Sequence, residues 1–215
     1  LSIATNPIVD HPASSIAFLG AIHGDLHLGN VLVERAFRRP NHYSIIDFAL
    51  ARRGLLGFDH AYLELALLLT SLPDGIEPHR LLNILSAVDR EGDNEGMNRV
   101  AVQDVGLVDA CRDIRAGTEN WRASVEPNRK DSTEAQLYLC RIAAGLNWTN
   151  KPLPASRRKL ALAYAADAAT KYLQRFDEAQ LAAYIGASGH NTSRPVDSDA
   201  LNWAEIWLQL QGFDD

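Results

Sequence analysis

One stretch of this 215-residue sequence concentrates groups able to do chemistry: His23-Gly24-Asp25-Leu26-His27-Leu28-Gly29-Asn30, followed at a distance by Ile45-Ile46-Asp47-Phe48-Ala49. Carboxylate and amide oxygens are hard donors. Magnesium takes one or two such ligands from protein and fills the rest of its shell with water and substrate phosphates. Asn30 and Asp47 suffice for that task, which leaves Asp25 free to accept a proton from a hydroxyl group and orient it for attack. These groups need a scaffold to bring them together. Val31 to Val33 and Tyr43 to Ile46 are short, apolar, β-branched-rich runs bounded by polar clusters, the pattern of two strands. Paired as an antiparallel hairpin centred on Arg38-Arg39, their facing positions sum to 77, which sets Asn30 opposite Asp47 at the open end.

The rest of the chain reads as helix. Residues 1–15 carry Pro7 and Pro12 among Asn, Asp and Ser and read as an irregular lead-in, with order beginning at the apolar run Ile16 to Ile22. Phe58 to Leu72 is apolar on nearly every face, as in a helix buried on all sides, and is expected to be the hub. Helical segments follow at about 77–88, 98–121 and 132–147, with a break at Glu91 to Gly96. Beyond Pro152 and Pro154, the stripe Leu162, Ala165, Ala169, Leu173, Phe176 predicts a long surface helix. Gly186 to Pro195 reads as a polar loop, and Leu201 to Leu210, with Trp203 and Trp207, as a terminal amphipathic helix packing on the core. The fold class is therefore mainly α (α+β): 16–72 holds the loop, hairpin and central helix, and 73–215 the helical part.

Composition excludes several classes of protein. The 27 acidic residues outnumber the 21 Lys and Arg, a formal net charge of -6, which argues against a nucleic-acid partner. With 47% hydrophobic and 22% charged residues the chain is an ordinary globular one. No apolar run approaches the ~20 residues of a membrane span, and no secretory signal is visible, so a membrane is not expected and the cytoplasm is. Cys111 and Cys140 lack metal-ligand or disulfide-framework spacing and read as small core residues in a reducing compartment.

His23 to Asn30 resembles the catalytic loop of the aminoglycoside phosphotransferase and choline kinase-like families, the small-molecule branch of the protein-kinase-like fold, and Asp25 and Asn30 keep the D-x-x-x-x-N spacing of kinase catalytic loops. Asp47-Phe48-Ala49 is similar to the metal-binding triplet of that fold. The resemblance implies a carboxy-terminal lobe in which Asp25 is the catalytic base, Asn30 and Asp47 hold Mg2+ for ATP or another nucleoside triphosphate, and the acceptor is a small hydroxylated or aminated molecule. Gly57-Phe58-Asp59 resembles the segment whose aspartate ties the catalytic loop down. A plain helix cap explains Asp59 equally well. His23 and His27 read as structural braces of the loop. Only 11 residues separate Asp47 from Asp59, with no Ala-Pro-Glu sequence, which favours a small-molecule kinase over a protein kinase. Asn147 to Lys151 and the Arg157 helix resemble parts of the kinase-like ternary complex-associated domains of bacterial multidomain proteins.

The pattern is incomplete. An amino-terminal lobe would bring a glycine-rich loop and a strand lysine to the phosphates. No GxGxxG occurs, all four lysines (Lys130, Lys151, Lys159, Lys171) follow the loop, and 22 residues before His23 cannot form five strands. With Leu1 as the first residue, the expectation is a fragment whose missing lobe comes in cis or in trans, and which binds ATP poorly alone. A kinase-like scaffold or sensor module is the main alternative. Asp25-Leu26-His27 also fits the opening of binuclear metallophosphoesterases, but Gly92-Asp93 continues as Asn94-Glu95-Gly96 and no GNH follows. Arg38 and Arg39 read as solvated turn residues and Arg157-Arg158-Lys159 as a charged helix face. Glu64, the one carboxylate inside the buried helix, is expected to show either an unusual pKa or a buried arginine partner.

Overall fold

A computed structural model describes residues 18–33, 43–90, 97–125 and 130–176. The lead-in, the Arg38-Arg39 turn, the Glu91 to Gly96 break, the 186–195 loop and the tryptophan helix fall outside the described residues. Two small antiparallel sheets and a set of packed helices make up the rest.

In the first sheet β1 (Leu19–Ile22) pairs with β4 (Arg52–Leu55), Leu19 facing Leu55 and Ile22 facing Arg52. In the second, β2 (Val31–Val33) pairs with β3 (Tyr43–Ile45). The hairpin forms as its β-branched runs predict, but its register differs from the expected one. Val31 faces Ile45 and Val33 faces Tyr43, so Asn30 comes opposite Ile46 rather than Asp47. The backbone bond from Ile46 N–H to the Asn30 carbonyl, 3.0 Å, locks this alignment. Facing positions sum to 76 rather than 77, and a shift of one residue changes which side chains share a face.

Helix α1 (Phe58–Ser71) is the hub, with Leu65 and Leu68 at zero exposure. Around it lie α2 (Pro78–Asp89), α3 (Val105–Val125), α4 (Lys130–Thr149) and α5 (Ala155–Phe176). The segment expected as helix from 98 starts later, after a 3-10 turn at Val102–Asp104. Arg80 of α2 explains the break: its guanidinium grips buried Asp104 through two bonds of 2.7 and 2.8 Å and fixes the turn before α3 begins. Leu65, Leu68, Leu81, Ile84, Leu85, Val108, Leu160 and Tyr164 meet in one core. A second core, Ile22, Phe58, Ala61, Tyr62, Cys140 and Ala144, lies beneath the loop that follows β1.

Helix α5 is not the surface helix its stripe suggested. Every residue from Leu160 to Ala168 is buried. The reason is the alanine content of the faces between the larger residues, which lets neighbouring helices approach on several sides. At Gly145 of α4 a Cβ would stand 2.7 Å from the Ala161 carbonyl oxygen, so the contact with α5 is nearly backbone to backbone. Arg157 likewise is not on a solvated face: its side chain is largely covered and pairs with Asp74 at 2.8 Å.

Glu64 has the arginine partner its burial demands. Arg115 of α3 donates to both of its oxygens, at 2.7 and 2.8 Å, and reaches Asp89, which also binds Lys171. Burial acts to raise the Glu64 pKa, and the Arg115 charge and hydrogen bonds outweigh it, leaving the carboxyl below its ordinary value. Both cysteines are buried free thiols, and burial pushes each up to about 12. Among the described residues no helix is long and apolar enough to cross a membrane.

Candidate active site

The loop after β1 is built on backbone bonds to α1. Asp59, in the first turn of α1, accepts the His23 N–H at 2.7 Å through Oδ2 and the Gly24 N–H at 2.9 Å through Oδ1. Of the two readings of Asp59, the geometry gives the loop tether. Gly24 has φ of +82°, and a Cβ there would lie 2.5 Å from the Leu50 carbonyl oxygen, so only glycine fits where the loop turns.

His23 is buried and links the loop to the segment after β3, one residue before Asp47. Its Nε2 donates to the Ile46 carbonyl at 2.8 Å, which leaves Nδ1 to accept from the Asp25 N–H at a long 3.4 Å. His27 caps the 3-10 turn Leu28–Asn30, its Nδ1 accepting from the Gly29 N–H at 3.1 Å.

Asn30 is buried and oriented by its amide: Nδ2 donates to the Asp25 carbonyl at 3.0 Å. That assignment turns Oδ1, a hard donor, away from any protein hydrogen-bond donor among the described residues. Asp47 sits one position beyond the Asn30–Ile46 backbone bond. It adopts the left-handed conformation, φ 62° and ψ 63°, is exposed, and makes no capping bond. A non-glycine residue in that region is a strained one held by its surroundings. Among the described residues, Asn30 and Asp47 thus offer two oxygen donors with no protein donor bonded to them, next to the paired ends of β2 and β3, a donor set that suits magnesium. No group of three or more His, Cys, Asp or Glu side chains able to hold a metal occurs among the described residues, so the site is not an acidic triad.

Asp25 is held from the other side by two residues to which the sequence reading gave no role at this site. Tyr62 of α1 donates its hydroxyl to Oδ1 at 2.7 Å, and the Lys151 ammonium reaches the same oxygen at 2.9 Å. Among the described residues, Oδ2 has one charged neighbour, His27 Nε2 at 3.7 Å. The Lys151 nitrogen also lies 4.5 Å from the Trp148 ring centre and 5.0 Å from that of Tyr62. Partial burial works to raise the Asp25 pKa, while the Tyr62 and Lys151 bonds and charge bring it below the ordinary value; burial and Asp25 itself drive the Tyr62 hydroxyl upward. The carboxylate is therefore ionised and oriented. Tyr62 stands three residues after Asp59, on the same side of α1, a spacing that could have flagged it. Lys151 comes from 126 positions away and leaves no local signal.

Residues 10–89 match the model of the phosphotransferase enzyme family, APH, so the resemblance read from His23 to Asn30 and from Asp47 is shown over that segment. The matched stretch contains the loop, the hairpin, Asp47, Asp59, Tyr62 and both α1 and α2; Lys151 lies outside it. No curated protein and no solved structure matches the chain.

Proposed function

We propose that this chain is the carboxy-terminal lobe of a protein-kinase-like small-molecule phosphotransferase, working in the cytoplasm on ATP or another nucleoside triphosphate. One observation carries the reading: Asp25 is fixed by Tyr62 and Lys151 through Oδ1, the Asn30 amide bonds the Asp25 carbonyl, and Asp47 lies one position beyond the Asn30–Ile46 backbone bond, with no hydrogen bond to its carboxylate among the described residues. Asn30 and Asp47 are the residues that would hold Mg2+, and the ion when bound neutralises charge on the triphosphate. Asp25 takes the proton of an acceptor hydroxyl at Oδ2. The acceptor oxygen forms a bond to the γ-phosphorus as the bond from that phosphorus to the β–γ bridging oxygen breaks, and the diphosphate leaves with the electron pair.

The loop is pre-organised for this, since Asp59 and His23 fix its backbone before any ligand arrives. The exposed apolar residues Leu32, Val33, Tyr43, Ile45, Ile46, Phe48 and Leu50 lie close in sequence to Asn30 and Asp47. Such a patch next to charged site residues supports docking of a second lobe, in cis or in trans, over the nucleotide. It equally favours the second reading, a kinase-like scaffold or sensor whose exposed face is an interface.

Magnesium-dependent transfer of the γ-phosphate, measured in a protein that includes such a lobe, tests the choice. The phosphotransferase reading expects turnover that falls at least about 100-fold in Asp25→Asn and in Asp47→Ala. Turnover absent from the parent, or indifferent to both substitutions, leaves the scaffold reading.

A further inference from the structure

The charges around Asp25 are already matched by the chain itself. Oδ1 is taken by the Tyr62 hydroxyl and the Lys151 ammonium, at 2.7 and 2.9 Å. The next carboxylate, Asp59, spends both oxygens on the loop N–H groups of His23 and Gly24. An acceptor hydroxyl that takes up Oδ2, the one oxygen of Asp25 and Asp59 without a close partner among the described residues, therefore arrives beside a fixed ammonium and leaves neither carboxylate an oxygen to pair with an ammonium of the acceptor's own. Asp47 is the exception in this neighbourhood, and it belongs to the metal.

Lys151 is also firmly placed. Aromatic faces attract cations, and a pair of them is the surface that recognises a ligand ammonium. Here the pair Trp148 and Tyr62, with ring centres 5.3 Å apart, carries the chain's own ammonium at 4.5 and 5.0 Å. Moving Lys151 aside would break the ion pair with Asp25 and both ring contacts together. A cationic acceptor thus finds its natural seat filled and a like charge waiting beside the base.

We propose that Lys151 is a specificity-determining residue: seated on Trp148 and Tyr62 and bonded to Asp25, it restricts the acceptor to uncharged or anionic hydroxyl compounds and turns away ammonium-bearing ones. The proposal rests on the reading of Asp25 as the base that meets the acceptor. It assigns a substrate class to that site, polyols, sugars and hydroxy acids, in place of amino sugars and amino alcohols. Repulsion from one fixed charge at this range is worth about 10- to 100-fold in affinity.

The test uses binding and transfer in the same samples. Wild type, Lys151→Met and Lys151→Arg are titrated with myo-inositol, gluconate and choline, following tryptophan fluorescence, with Trp148→Phe to assign the signal. Each is then assayed for phosphoryl transfer from MgATP to the same compounds. Wild type is expected to bind choline at least about 10-fold more weakly than the other two; Lys151→Met closes that gap and Lys151→Arg keeps it. Lys151→Gln, which keeps a polar side chain, repeats the comparison if melting curves show the methionine variant unfolded. Choline binding to wild type as tightly as inositol, a gap unchanged in Lys151→Met, or no binding of any probe to any variant overturns the proposal. Charge discrimination in binding with no transfer to any acceptor sinks the phosphotransferase reading but not the charge filter. Transfer without charge discrimination sinks the filter alone.

Discussion

Asp59 holds Gly24 by its backbone: the Gly24 N–H points at Oδ1 from 2.9 Å, while Oδ2 of the same carboxylate takes His23 at 2.7 Å. The first turn of the hub helix and the loop bearing Asp25 therefore move as one body. Charge-assisted bonds of this kind are worth ~1.5–3 kcal/mol each. Asp59→Ala is expected to cost about 3 kcal/mol in denaturant unfolding, the new alanine leaving two N–H groups to water. On the proposed reading of Asp25 as the base, phosphoryl transfer should drop through kcat more than through KM, because the substitution frees the loop that holds Asp25 and spares the binding surfaces. An equal effect on both constants would mean that the tether serves stability only.

The Glu64–Arg115 pair gives a sharper test of energetics. Glu64 is 1% exposed, and Arg115 meets it with two bonds. Removing one partner strands the other in the core, at ~3–5 kcal/mol, whereas replacing both with apolar residues of similar size is often neutral. Arg115→Met and Glu64→Leu should each destabilise by about that amount. The double variant should recover much of the loss, with Asp89 setting the residue, since Arg115 also serves it. The pH dependence has a definite sign. The folded-state pKa of Glu64 is depressed, so its contribution is complete above the ordinary carboxylate value and is lost as pH falls through the lower folded value. The stability gap between wild type and Glu64→Leu, read from urea unfolding, is expected to be flat near neutrality and to shrink once the pH drops below about 4.

What the sequence made legible follows from the range of each interaction. Local pattern was enough for the hairpin strands, for α1 and for the Asp25, Asn30, Asp47 spacing, because those depend on neighbours a few residues apart. Strand β4 was missed since Arg52-Arg53-Gly54-Leu55 carries no apolar alternation and pairs with β1 across 30 positions or more. The register slipped by one because it depended on a turn length that the two strands do not encode. Lys151 reaches Asp25 from the connection between α4 and α5, and Arg115 reaches Glu64 from α3, so periodicity could mark Glu64 as a residue to check without saying which residue meets it.

Packing between α4 and α5 turns on a single hydrogen. The position of a Cβ on Gly145 would fall 2.7 Å from both the Ala161 oxygen and the Ala165 Cβ. Alanine normally favours a helix by ~1 kcal/mol over glycine. Here the overlap is with backbone, which cannot rotate away, so Gly145→Ala is expected to destabilise by about 1–3 kcal/mol despite the better propensity. Lowered melting temperature would also loosen Trp148, which follows on the same helix and carries Lys151. A stabilised Gly145→Ala protein would show that the two helices separate at little cost.

Asp47 separates stability from function most cleanly. Its φ of 62° is one most side chains resist and aspartate tolerates better than most, the residue is exposed, and among the described residues no hydrogen bond holds its carboxylate. Its oxygens are therefore open to a ligand role. Glycine would relieve ~1 kcal/mol of backbone strain and return part of that through the greater entropy of its unfolded chain. Asp47→Gly is therefore expected to melt at or slightly above the wild-type temperature while losing magnesium-dependent nucleotide binding by at least about 10-fold, as read by calorimetric titration in a protein that includes the second lobe. Asn30→Ala should behave differently, since its amide also bonds the Asp25 carbonyl: it loses magnesium dependence and stability together. If Asp47→Gly instead unfolds early and its nucleotide affinity tracks the loss of fold, the residue is structural and the magnesium assignment falls with it.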